Sequence, residues 1–156
     1  MKKAVLISIA PKWCAKIASG EKTIEVRKTC PRIDPPFKCY IYQSGKNLTK
    51  PVYGSEFSKN GYVIGEFVCD WIVYLDMDSI GLGYYGEGKF LYIDTFDGDS
   101  KCNTCLTRKE ILDYTRGKRP YGWHISDLVI YDKPKKLEEF NLTRAPQSWQ
   151  YVEELE

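Results

Sequence analysis

The stretch Tyr62–Leu75 constrains the fold more than any other, because it reads as one long β-strand that is largely apolar on both sides. Val63, Phe67, Cys69, Trp71, Val73 and Leu75 fall on one face, with Gly65 among them. Ile64, Val68 and Ile72 fall on the other, together with Glu66 and Asp70. Successive side chains of a strand point to opposite faces, so a strand apolar on both belongs in the middle of a sheet. Gly65 beside Glu66 marks a bulge or a close approach of a neighbouring backbone. A carboxylate among apolar neighbours is costly unless paired, so Glu66 requires a cationic or hydrogen-bonding partner. Lys22 and Arg27 are the candidates.

The remaining elements are short. Ala4–Ala10 is an apolar, β-branched run that predicts a buried strand. Pro11 suits the first position of a helix, Trp13 and Ile17 share its face with Cys14 and Ala18 beside them, and Gly20 stops it. Lys22–Lys28 predicts a second strand and Lys38–Gln43 a third. Ser44–Asn60 is polar and reads as a loop, long for a compact domain. Ile80–Gly88, rich in Gly and Tyr, reads as a loop offering ring faces. Phe90–Phe96 predicts a strand and Asp97–Ser100 a turn. Thr107 and Glu110 form a capping box that starts a second helix, with Ile111, Leu112 and Tyr114 as its apolar face and Gly117 as its stop. Gly122–Tyr131 predicts a last strand, broken by Pro134. A short turn or helix follows at Leu137–Phe140, and the tail docks Trp149 on the body. The expected class is α+β: one domain over residues 1–156, with a core at about 4–131.

Charge is unevenly placed. Residues 1–50 hold eleven Lys and Arg against three Asp and Glu, residues 51–100 two against nine, and the rest ten against nine. Gathered on one surface, the basic first third would face phosphates; folded against the acidic middle, it would be neutralised. The run Ala4–Ala10 is too short for a secretory signal and nothing approaches a bilayer span, so a cytoplasmic protein without a membrane partner is expected. Six cysteines then read as reduced thiols. Cys102 and Cys105 have a metal-like spacing, but a structural zinc site needs two such pairs, so neither a metal nor a cofactor is expected.

The segment Gly20-Glu21-Lys22-Thr23-Ile24-Glu25-Val26-Arg27 sets a lysine, a glutamate and an arginine within six residues. On a strand Ile24 and Val26 point inward, and Thr23, Glu25 and Arg27 line the other face. That polar row reads either as the floor of a ligand site or as a solvated strand face. Together with Ile7-Ser8-Ile9-Ala10-Pro11-Lys12-Trp13-Cys14, Ile64-Gly65-Glu66-Phe67 and Trp123-His124-Ile125, it resembles the signature of the ASCH family. The resemblance implies a small, bent β-barrel of the PUA-like group with flanking short helices, and a cleft suited to RNA or a modified nucleoside. Some members of that family are amidohydrolases of N4-acetylcytidine that use a lysine, a threonine and a glutamate. Lys22 matches the lysine and Glu66 the glutamate. Glu25 stands where the threonine is expected, with Thr23 two residues earlier.

Three functions remain open. The first is binding of RNA or a modified nucleoside, with Lys12, Trp13, Arg27, Lys28 and His124 as contacts and Tyr84, Tyr85 and Trp123 as stacking rings. The second is hydrolysis of an N4-acylated cytidine, with Lys22 as base, Glu66 as acid, and Thr23 and Glu25 completing the catalytic set. The third is a structural or protein-interaction role, in which the charged residues form only an ion-pair network. No sequence feature speaks to oligomeric state.

Overall fold

The computed structural model describes residues 1–45, 59–76, 82–86, 89–93, 104–116, 118 and 120–156. The element order is β1 (Lys3–Ile9), α1 (Pro11–Ala18), β2 (Ile24–Arg27), β3 (Phe37–Gln43), β4 (Val63–Asp76), β5 (Leu82–Gly86), β6 (Lys89–Ile93), α2 (Arg108–Thr115), β7 (Tyr121–Lys135), a 3₁₀ turn (Leu137–Phe140) and β8 (Trp149–Glu153). The strands form one sheet in the order β2-β7-β4-β3-β1-β8, with the β5–β6 hairpin attached to β4. All the pairings are antiparallel except β1 with β3. The fold is α+β, a small curled barrel with two short helices, as expected.

The long strand lies centrally, between β7 and β3. Its face carrying Phe67 and Cys69 joins Val5, Ile7 and Ile9 of β1, Cys39 and Ile41 of β3, and Trp123 of β7 in the larger core, which α1 closes with Cys14 and Ile17. Leu6, Tyr40 and Val63 gather in a second cluster under Phe140 and Val152. The pairing register shifts between Val63 and Gly65, where a Cβ on Gly65 would stand 2.4 Å from the Val129 carbonyl oxygen. The glycine therefore serves the close backbone approach its position predicted.

Curvature brings the two ends of the sheet together. Arg27, at the end of β2, donates to the Ser8 carbonyl of β1 at 2.6 Å. Trp149 of β8 donates its Nε1–H to Thr29 Oγ1 at 3.0 Å and sets its ring 5.9 Å from that of Trp123. Sheet ends so joined describe a half-barrel closed by side chains.

Several expectations are corrected. Leu82–Gly86 is a strand, because it pairs with the end of β4 on one side and β6 on the other, and pairing overrides its glycine content. Pro134 does not end β7, which runs to Lys135; the proline falls in the shifted stretch opposite Val63–Gly65, where a missing N–H is tolerated. The tail does more than dock Trp149: Trp149–Glu153 pairs with β1. In α2, Thr107 Oγ1 caps the Glu110 N–H, but the buried side is Ile111 and Thr115, and Leu112 and Tyr114 are exposed. The left-handed residue that ends α2 is Arg116. Most of the loop 44–60, the turn 97–100, Gly117 and Cys102 lie outside the described residues.

Candidate functional site

Glu25 and Arg27 of the polar row line a hollow, together with Lys22 before them. Gly20, with φ of 82°, turns the chain off α1, and the Lys22 N–H bonds back to the Lys16 carbonyl at 3.0 Å. β2 follows, and all four of its residues are buried. Over it opens a cleft of about 390 Å³. Its floor is Lys22, Glu25, Val26 and Arg27, and Trp13 of α1 forms one wall. The wall from α2 carries Glu110 and Tyr114, with Leu106 before it. Glu110 and Tyr114 are four apart and so share a helix face.

The floor is a chain of three buried charges. Lys22 is only 2% exposed. Its Nζ donates to the Thr104 carbonyl at 2.6 Å and lies 5.2 Å from the centre of the Trp13 ring. Glu25 is 6% exposed. Its Oε1 accepts from Arg27 Nε at 3.2 Å, with Nη2 at 3.1 Å. Arg27 continues to the Ser8 carbonyl and to Ser148 Oγ at 3.3 Å. Thus the guanidinium fork is spent on one carboxylate oxygen, one carbonyl and one hydroxyl. The other oxygen, Glu25 Oε2, is buried and has no hydrogen-bond partner among the described residues. Lys22 Nζ stands 3.4 Å from it, near enough for charge attraction but poorly directed for a hydrogen bond.

Aromatic rings with lysines over them flank the hollow. Lys12 Nζ is 4.6 Å from the Trp13 ring centre, and Lys28 Nζ is 4.8 Å from that of Tyr114. Both lysines are exposed. Elsewhere the basic first third is neutralised locally: Lys16 pairs with Glu21, Lys38 with Glu66 and Lys2 with Glu154.

Of the residues singled out in the sequence, the structure brings together Lys22, Glu25, Arg27 and Trp13, with Lys12 and Lys28 over the flanking rings. The others lie apart. The expected contact of Glu66 with Lys22 or Arg27 is not made. Glu66 is opposite Tyr40 in the register, on the face of the second cluster, where it pairs with Lys38 at 3.0 Å and accepts a hydrogen bond from Tyr131. Burial pushes its carboxyl up, but these two donors outweigh that and leave it below the ordinary value. Thr23 does not line the cleft; its carbonyl accepts from the Ile125 N–H, extending the β2–β7 ladder. Trp123, expected as a stacking ring, is wholly buried and meets Phe37 edge to face, so it is core. His124 sets Nδ1 2.6 Å from Asp70 and stacks on Trp71, away from the cleft. Tyr84 and Tyr85 lie on β5; their side chains are outside the described residues.

Sequence reasoning missed Tyr114, Glu110, Leu106 and Ser8 as cleft residues. Helical spacing puts Tyr114 on the apolar face of its helix, and Ser8 carries no signal of its own within an apolar strand.

The chain is a small curled α+β barrel with a charged strand under a helix-walled hollow. No family model and no curated protein matches the chain. Solved structures do. The chain is similar to the crystal structure of ASCH from Zymomonas mobilis, with a TM-score of 0.63 and 21% identity over 96% of this chain and 87% of that one. A tyrosine-to-phenylalanine variant of that protein matches with a TM-score of 0.61 and 21% identity over 97% and 91% of the two chains. A serine-to-alanine variant matches with a TM-score of 0.61 and 21% identity over 96% and 88%. The chain therefore has the ASCH fold over nearly its whole length. Among the described residues no helix is long and apolar enough to cross a membrane, and no group of three metal-ligating side chains occurs.

Proposed function

We propose that the cleft over β2 binds one nucleoside, free or presented by an RNA strand. The observation that carries this reading is the buried Lys22–Glu25–Arg27 chain beneath an open hollow with aromatic walls. Ion pairs out of water contribute little to stability against apolar residues of the same size. Placed under a hollow, they offer a polar floor to a ligand. A volume of about 390 Å³ lies in the range of small-ligand pockets, roughly 300–1,000 Å³. Trp13 and Tyr114 supply ring faces on which a base can stack, an interaction of about 1–3 kcal/mol per base. Lys12 and Lys28, exposed over those rings, are placed to meet the phosphates of a nucleotide.

The test is titration with cytidine and with a short RNA. Binding of both is expected, lost in Trp13→Ala. RNA affinity should fall with salt, and Lys12→Ala with Lys28→Ala should flatten that slope by about 0.7 per lost phosphate contact. No binding at millimolar nucleoside would overturn the reading.

A second reading, hydrolysis of an N4-acylated cytidine, has one feature in its favour. Glu25 Oε2, buried and without a hydrogen-bond partner among the described residues, stands 3.4 Å from Lys22 Nζ. In this reading Glu25, in place of Thr23 or Glu66, would draw the proton from an attacking water, Lys22 would hold the oxyanion, and Glu25 would return the proton to the leaving N4 nitrogen as the C–N bond breaks. Release of cytidine and acetate from N4-acetylcytidine, abolished in Glu25→Gln, is its test.

A further inference from the structure

We propose that Glu110 selects nucleosides whose ribose 2′- and 3′-hydroxyls are both free, and excludes nucleotides that carry a phosphate on the 3′ oxygen. The inference rests on the nucleoside-binding reading and goes beyond it, from the base that stacks to the sugar that the α2 wall reads.

Of the two carboxylates that line the cleft, Glu110 is the one a ligand can reach. Glu25 is buried against Arg27 and Lys22, whereas Glu110 is exposed on the wall. Its side chain is not spent on its own helix. The Thr107 hydroxyl takes the Glu110 N–H at 3.1 Å, and the reciprocal bond from the carboxylate back to the helix start is not made. Among the described residues that carboxylate has no hydrogen bond and no ion pair. Lys109, next to it in the chain, pairs with Asp113 at 3.0 Å on a different face of the helix. The floor cations are committed as well: Lys22 donates to the Thr104 carbonyl, and Arg27 to Glu25, Ser8 and Ser148. The wall therefore presents a free anionic acceptor to whatever enters.

A carboxylate only accepts, and its two oxygens can take two donors at once. The vicinal hydroxyls of ribose are two donors on one side of a sugar. An acidic side chain accepts from the ribose 2′-hydroxyl in dinucleotide-binding folds for the same reason. Position agrees with this role. Glu110 stands one turn before Tyr114, a step of about 5–6 Å between Cβ atoms. A base stacked on the Tyr114 ring carries its sugar at its edge, one such step away. A phosphate on the 3′ oxygen removes a donor and sets a second negative charge against the carboxylate. A phosphate on the 5′ oxygen leaves the diol intact, and Lys12 on the opposite wall is placed to meet it. Every nucleotide inside an RNA strand has its 3′ oxygen esterified, and only the last keeps the diol. The ligand is thus a free nucleoside, a 5′-nucleotide or the 3′ terminus of a strand.

Calorimetry on the full chain compares cytidine 5′-monophosphate with cytidine 3′-monophosphate, which share base, sugar and charge. The 5′ isomer is expected to bind about tenfold more tightly or better. Cytidine should bind about fivefold more tightly than 2′-deoxycytidine, which lacks one donor. Glu110→Gln, at an exposed position, removes the repulsion and should bring the two isomers to within about threefold. A short RNA should bind with a 3′-hydroxyl and lose about tenfold with a 3′-phosphate. If the hydroxyl-ended strand binds more tightly than the mononucleotide, the strand terminus supplies the diol; if no more tightly, the free nucleotide does. Both outcomes support the inference. Equal binding of the two isomers by the wild-type chain, or a preference that survives Glu110→Gln, would overturn it and leave the nucleoside site standing. Binding of none of these ligands would overturn the site itself, and the inference with it.

Discussion

Arg27 and Ser8 are joined by a 2.6 Å bond from guanidinium to main-chain carbonyl, and that bond links the two ends of the sheet. β2 borders the sheet on one side, and β1 lies next to the last strand on the other. The same guanidinium holds Glu25. Arg27→Met would leave a buried carboxylate and a buried carbonyl without their donor. Breaking one side of a buried pair costs about 3–5 kcal/mol. Urea unfolding should show a loss of that size, with Arg27→Lys recovering only part, since one ammonium cannot reproduce the fork. A loss under 1 kcal/mol would show that the sheet closes without this residue.

The Glu66–Lys38 pair gives a pH dependence of known sign. The Glu66 carboxyl is below its ordinary value of 4.5 in the folded chain: burial raises it, and the Tyr131 hydroxyl and Lys38 ammonium lower it by more. A group lowered on folding contributes stability above its unfolded value and loses it as pH falls through the folded one. The pair is partly exposed, so the contribution is about 1 kcal/mol or less. Glu66→Gln should therefore be less stable than wild type at pH 7, and the difference should close as pH falls below about 4.5. A difference that widens in acid would reverse the assignment.

How much of this was legible in the sequence depends on whether the cause was local. The strand Tyr62–Leu75, the α1 start at Pro11 and its stop at Gly20, and the row Lys22–Arg27 all follow from spacing within a few residues, and all stand in the structure within a residue or two. Partners were not legible. Glu66 was given Lys22 or Arg27 because its need for a cation is local, but which cation meets it depends on the register of β3 against β4, which brings Lys38 beside it. The sequence offers Trp123 as a stacking ring, and spacing alone leaves open which way an aromatic on a strand faces. Its packing against Phe37 and Trp149 settles it. β5 was missed for the same reason: its glycines weaken a strand in isolation and do not prevent one between two partners.

Gly65 is a point where a single methyl group should be felt. An added Cβ would lie 2.4 Å from the Val129 carbonyl oxygen and 3.2 Å from the Ile130 Cα, both main chain and unable to swing aside. Relief requires β4 and β7 to separate at their register shift. Overpacking of this kind costs about 1–3 kcal/mol. Gly65→Ala should lower the urea midpoint accordingly. A neutral result would mean that the two strands part there without loss of the core.

The cysteines make a last test, of the core rather than the cleft. Burial, with a smaller push from the Glu25 charge, raises the Cys14 thiol to about 12 against a counter-pull from Arg27. Burial and then Asp70 raise Cys69 to about 12, and burial raises Cys39 well above its ordinary value. Alkylation needs the thiolate, and a pKa near 12 leaves about one thiol in ten thousand ionised at pH 8. Cys30 is half-buried and only moderately raised, again by burial. Iodoacetamide at pH 8 should therefore label Cys30 first among these four, while Cys14, Cys39 and Cys69 react only as fast as the chain unfolds. Peptide mass spectrometry over a time course reads the order directly. Early labelling of Cys14 would mean that α1 lifts off the barrel in the native state, and with it the Trp13 wall of the cleft.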